Sequence, residues 1–361
     1  MRIDRRSWLT GSLLAGVAPA AKPALGIPGP FRGRVVAVRH PGSIITGQYQ
    51  RAAVRAMIRK GMMELTGAPS ATEAWRFFFQ PGDVVGIKLN PVGLPHLVSA
   101  AEVFQEIVAG LRDAGVKPPD IVAFERYRNQ FLAAGFEQWL PEGVRWSSAT
   151  EKAGLFQLDM EGYDRDQFVE LPLVPEKADP RDSHVRRSYV TKFLTKEVNK
   201  LINLGVLKHH QSAGVTIALK NLSHGLVNNV ARSHLSRSAN ACGVFIPAVI
   251  DLPVFRQKVV LHIIDGIKAA YHGGPGRTVA KYLWEHQTLY FATDPVAVDR
   301  VGWTVIDDQR GQRGMPPLAL APADEVSVFV RMQPEHVELA GALGLGESDE
   351  KKIELRTFEL A

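Results

Sequence analysis

Three lysines lie inside or at the ends of apolar runs, where an unpaired ammonium is costly. Lys88 closes Val84-Val85-Gly86-Ile87, while Lys208 and Lys220 flank the apolar residues 213–219. Two such lysines close to an imidazole suit an anionic ligand, and His210 can move protons near neutral pH. Asn90 and Asn221, each one or two residues from a lysine, offer amides to orient that ligand. The plainer alternative pairs one lysine with Glu125 or Asp265 and leaves the other solvated. Glu125, Lys208, Asp265 and Asp294 each follow a short β-rich run, as Lys88 and Asn90 do. In a parallel sheet all these ends share one edge, the edge at which α/β proteins bind ligands. Strands must also simply end in polar residues, and Asp294 in particular has a second explanation as a helix cap. Asp299, five residues later and inside the same helix, lacks that explanation.

Most of the 11 histidines fall between His184 and His286. His210, His224, His234 and His272 with Asp265 are the candidates for holding a metal, but no pair has the tight helical spacing of zinc motifs, so no metal is assigned. Cys242 is the single cysteine. It can form no internal disulfide and cannot build a four-thiolate zinc or iron–sulfur site, so no iron–sulfur cluster is expected. The loop Tyr271-His272-Gly273-Gly274-Pro275-Gly276-Arg277 could turn backbone N–H groups, that of Gly274 included, toward a carboxylate or phosphate. It lacks the lysine–serine pair of a phosphate-binding loop.

The elements that must position these residues alternate. Residues 35–38, 83–89 and 120–124 read as strands. Residues 51–65 read as a helix with Val54, Met57, Ile58, Met62 and Leu65 on one face, and Ser99 is placed to cap a helix carrying Val103, Ile107 and Leu111. Residues 174–188, rich in proline and charge, read as a surface loop between two halves. The second half resumes with strands at 201–207, 259–264 and 289–292, then a helix opened by Asp294-Pro295 that carries Val298, Val301, Val305 and Ile306. The charged tail, 347–361, reads as an edge element. This alternation predicts an α/β fold, a mainly parallel sheet flanked by helices with a ligand site at the C-terminal strand ends. It occupies one domain over residues 32–361, with 32–173 and 189–345 as possible lobes.

The chain has 361 residues, 45% hydrophobic and 22% charged, with a net charge of +6. That is ordinary globular composition, and the charge excess is too small and scattered to form the basic stripe of a nucleic-acid binder. The N-terminus pairs Arg5-Arg6 with Ser-Trp-Leu, an apolar stretch and Ala18-Pro19-Ala20. This pattern resembles a twin-arginine export signal over residues 1–20. It implies a twin-arginine translocase as partner during export and a periplasmic location. The apolar stretch is too short to span a bilayer, which needs about 20 residues, and no later segment is apolar enough to do so.

Together, Val84 to Asn90, the lysine–histidine–threonine–lysine–asparagine pattern of 208–221, Asp265-Gly266 through Gly274-Pro275, and Asp294-Pro295-Val296-Ala297-Val298-Asp299 resemble the domain-of-unknown-function 362 family over roughly residues 84–311. Many relatives of this pattern carry an appended ferredoxin module, which a chain with Cys242 alone cannot build. The family's usual prolines near Leu89 and Gly205 are also missing here. The resemblance implies no particular reaction. The residues themselves lead to an enzyme acting on a small anionic compound: Lys88, Lys208 and Lys220 hold the anion, Asn90 and Asn221 orient it, and His210 with Asp265 handle protons. The competing reading is a non-catalytic accessory protein that captures an anion or a metal.

Overall fold

The computed structural model describes residues 24–154, 157–174, 178–234, 236, 238–275 and 280–361. The export segment, residues 1–20, and Gly276 and Arg277 of the glycine-rich loop lie outside them. Strands rich in Val, Ile and Leu build a nine-stranded sheet. Its members are β1 (Arg34–Arg39), β2 (Val85–Lys88), β3 (Ile121–Phe124), β4 (Arg145–Ser147), β5 (Lys200–His210), β6 (Gly214–Ile217), β7 (Val259–Ala270), β8 (Leu283–Ala292) and β9 (Glu354–Glu359). The order across the sheet is β9-β1-β8-β7-β5-β2-β3-β4, with β6 folded back on β5. β7, β5, β2, β3 and β4 are mutually parallel, whereas β8 is antiparallel to both its neighbours and β6 to β5. The near-continuous apolar runs of β2 and β3 are buried along their whole length, and β5 is buried from Leu201 to its end, as strands covered on both faces must be.

Helices cover both faces. Alternation along β1 sends Val36 and Val38 to one side and Val35 and Ala37 to the other. The first side packs on α1 (Arg51–Thr66), α2 (Ala71–Phe78) and α3 (Ala101–Asp113), and the apolar stripe read from α1 is wholly buried. The second side carries α4 (Leu219–Leu226), α5 (Ala241–Ile250), α6 (Pro295–Gln312) and α7 (Glu335–Ala342). Each fully buried aliphatic side chain in these layers contributes roughly 1.5–3 kcal/mol.

Two element assignments change. Ser99 does not cap α3, whose preceding residue is Ala100. Its hydroxyl instead accepts from the Asn90 N–H at 2.8 Å and donates to the Leu204 carbonyl, tying the loop after β2 to β5. The expected loop at 174–188 contains a helical turn, Ser183–Arg186, and at its end starts a strand, Arg187–Thr191, paired antiparallel with Tyr163–Glu170. Glu170, bonded to Arg186 and Arg187, fastens that ribbon. The tail does form an edge element: β9 lies parallel to β1.

Candidate functional site

A cavity of about 360 Å³ opens where β2, β3 and β5 end. Its wall carries Lys88, Asn90, Glu125, Lys208, His210, Lys220 and Asn221, residues drawn from distant parts of the chain. The parallel register explains the meeting. Lys88 stands opposite Phe124 of β3 on one side and Asn203 of β5 on the other, so the residues that follow β2 and β3 emerge beside the last residues of β5, which runs on to His210. Lys88 runs under α4, where a Cβ on Gly225 would fall on the lysine's Cε; only glycine permits that approach.

The three lysines differ in their partners. Lys88 donates to Glu125 at 2.6 Å and to the Leu89 carbonyl, a buried ion pair. Lys208 donates to Asn90 Oδ1 at 2.8 Å and to the Val92 carbonyl, with no carboxylate on it among the described residues. Lys220 Nζ lies 3.3 Å from His234 Nε2. Burial, reinforced by the charges of Lys88 and Lys220, pulls the Lys208 ammonium down to about 7. Burial also brings Lys220 to about 8, with Arg126 adding to the effect. Lys88 is lowered by burial too, against the pull of Glu125. Burial first, then Lys220 and His234, hold His210 well below the usual imidazole range. Its Nδ1 faces the Ser212 N–H and hydroxyl, at 3.2 and 3.1 Å.

Asn221 donates to Asn203 Oδ1 at 2.7 Å, which fixes its amide. Behind it the chain makes a strained turn. Ile217, a β-branched residue, has φ of 34° in the left-handed region. Asp299 of α6 accepts from the N–H groups of Ala218 and Leu219 at 2.6 and 3.1 Å, holding this turn and so the start of α4. Asp299 therefore positions Lys220 and Asn221 from behind, without lining the cavity.

The other sequence candidates sit elsewhere. Asp265 does not close its strand, because β7 continues to Ala270. Its carboxylate is mid-strand, accepting from Tyr49 OH at 3.1 Å and the Ile267 N–H at 3.0 Å, and is absent from the cavity wall. Burial raises it to about 7. Asp294 follows β8, the antiparallel strand, so it emerges at the opposite edge of the sheet from Lys88 and Glu125. There it caps α6 through Val296 and Ala297 and also accepts from the N–H groups of Gly33 and Glu347. His272 pairs with Asp324 at 2.8 Å and receives Arg310, away from the cavity. The Gly274 N–H donates to His209 Nδ1, and among the described residues of that loop its neighbour Pro275 reaches the wall.

Several wall residues escaped the sequence reading. Arg126 donates to the Val227 carbonyl and stacks on Tyr127, while the Tyr127 hydroxyl and Thr216 Oγ1 are buried with no hydrogen-bond partner among the described residues. Arg126 and Tyr127 directly follow Glu125, so a strand-end signal was there to be used. His224, His234 and Cys242 bring their ligating atoms within 4.8 Å of one another, a donor set that suits a soft or borderline metal. Ser233 Oγ sits among them, at 2.9 Å from His224 Nε2, 3.3 Å from His234 Nδ1 and 3.7 Å from Cys242 Sγ. His210 and His272, the other metal candidates, stand outside this trio.

The model of a domain of unknown function, DUF362, matches residues 85–304, more than half of the chain. The chain belongs to the DUF362 family. The matched segment runs from β2 through most of α6 and contains every cavity lysine, whereas β1, α1, α2 and β9 lie outside it. No curated protein matches. Among solved structures, a protein from Thermotoga maritima is similar at 12% identity with a TM-score of 0.39, over 74% of this chain and 60% of that one. This chain thus spans less than two thirds of that protein's length. Among the described residues, no helix is long and apolar enough to cross a membrane.

Proposed function

We propose that this DUF362 protein is exported through the twin-arginine route to the periplasm and acts there as an enzyme on a small anionic compound bound in the cavity. One observation carries the ligand class: among the described residues, Lys88, Lys208, Lys220 and Arg126 line the cavity against the single carboxylate of Glu125. Lys208 and Lys220, with no carboxylate partner among the described residues, repel each other until an anion lies between them. In this reading Lys208 and Lys220 hold the anion and Lys88 completes the positive wall. Asn90 and Asn221 orient it, and His210 exchanges protons with it. The unpartnered Tyr127 and Thr216 hydroxyls suit a ligand with several polar atoms. Asp265, which does not line the cavity, has no part in it.

Mass spectrometry of molecules that co-purify with the native protein, combined with thermal melts in small carboxylates and phosphates, tests the reading. Stabilisation by an anion, lost in Lys208→Met, supports it; melts unmoved by every anion would remove it. The trio of His224, His234 and Cys242 favours a second reading, metal capture by an accessory protein. Near-stoichiometric metal on elemental analysis, lost in Cys242→Ala, would favour that one.

A further inference from the structure

Among the amines in the cavity, Lys220 alone is placed for chemistry on a carbonyl. Lys88 is committed to Glu125, and Lys208 has protons engaged by Asn90 Oδ1 and the Val92 carbonyl. Among the described residues, the amine of Lys220 meets only an imidazole nitrogen, His234 Nε2 at 3.3 Å. A nucleophile within reach of a base that is itself oriented by a third group is the arrangement covalent catalysis requires. Here the third group is Ser233 Oγ, 3.3 Å from His234 Nδ1. Lys220 also stands in the first turn of α4, whose positive end disfavours an ammonium. Resting on the anion reading above, we propose that Lys220 forms a Schiff base with a small 2-oxo acid whose carboxylate is held by Lys208 and Arg126. The neutral amine adds its electron pair to the carbonyl carbon, and the carbonyl π pair moves to oxygen. His234 Nε2 carries two protons in turn from the nitrogen to the oxygen. The first gives the carbinolamine, and the second leaves nitrogen as the C–O bond breaks, the nitrogen pair closes the C=N bond and the oxygen departs as water. Imine and water are the products, so no oxidant or reductant is needed.

Incubation with pyruvate, glyoxylate or 2-oxoglutarate, followed by borohydride reduction and peptide mapping, tests this. The expected result is a covalent gain equal to the acid less one oxygen atom, located at Lys220. Lys220→Arg should lose the adduct while its ligand-free melt shows that it folds. His234→Gln should slow trapping by roughly 100-fold, the size of a positioned base. An adduct at another lysine, or unchanged trapping in His234→Gln, overturns the assignment. If the oxo acids raise the melting temperature with no adduct, the Schiff base is wrong and the anion reading stands. If carboxylates and phosphates alike do neither, both fall.

Discussion

Lys88 and Lys208 are equally buried, yet they should answer the same substitution differently. Lys88→Met strands the Glu125 carboxylate in the interior and should cost about 3–5 kcal/mol, most of it recovered when Glu125→Gln is added. Lys208→Met leaves two neutral oxygens short of a donor, a cost of about 1–3 kcal/mol, but it also removes a buried charge. Its ligand-free melt should stay close to that of the parent or rise above it. Chemical denaturation of the three variants measures the contrast. A Lys208→Met loss as large as that of Lys88→Met would make Lys208 part of the architecture. The titration of Lys208 has a definite sign. Its amine lies near 7 in the folded chain and at an ordinary 10.5 when unfolded, so between those values the unfolded chain binds more protons. Stability of the ligand-free protein should therefore rise with pH across that window, a rise that Lys208→Met reduces. Anion affinity should fall over the same interval as the cavity loses positive charge, which calorimetric titration at pH 6.5 and 9 would show. Asp265 works in the opposite sense. Raised to about 7 by burial, it makes the folded state bind more protons between its ordinary 3.8 and 7, so its contribution declines as pH rises. Asp265→Asn should flatten that decline and leave anion binding intact.

At the scale of the element, the short return from β6 into α4 deserves the closest test, because it turns a strained backbone into a placed pair of side chains. Ile217 sits at positive φ, and the two N–H groups after it end on Asp299. Asp299→Ala removes both acceptor oxygens and should cost about 3–6 kcal/mol, from two hydrogen bonds to a charged group at about 1.5–3 kcal/mol each. More tellingly, it should abolish anion-dependent stabilisation though Asp299 touches no ligand. Ile217→Gly relieves the positive φ but loses a buried side chain, so it should lower stability while keeping anion binding. Melts of both variants with and without anion separate positioning from packing.

For the molecule as a whole, the family match and the folding unit have different extents. Residues 85–304 hold the cavity, yet β8 within that span pairs with β1 outside it, and α1 and α2 cover one face of the sheet. A fragment of residues 85–304 should therefore expose an apolar sheet face and an open strand edge, and should aggregate rather than melt cooperatively. Light scattering and circular dichroism would show it. The N-terminal segment makes a separate prediction: replacing Arg5 and Arg6 by lysine should hold the protein in the cytoplasm, as fractionation against a periplasmic marker would reveal.

The α/β alternation, the helix opened by Asp294-Pro295 and the lysines of the cavity were legible in the chain itself. Local periodicity is a property of neighbouring residues, and a buried lysine announces itself by the apolar residues on either side. Strand direction was not legible. Asp265 and Asp294 follow apolar runs just as Lys88 and Glu125 do, and nothing in a strand's own residues says where it ends or which way its partner runs. Only the pairing places them: β7 runs five residues past Asp265, and β8 points the other way and carries Asp294 to the opposite edge. The same holds for the trio of His224, His234 and Cys242, whose ligating atoms meet only because α5 packs against α4 and the turn that carries His234. The chain determined which residues are costly to bury, and the tertiary structure alone decided which of them share one buried space, because that depends on strand order and direction rather than on sequence distance.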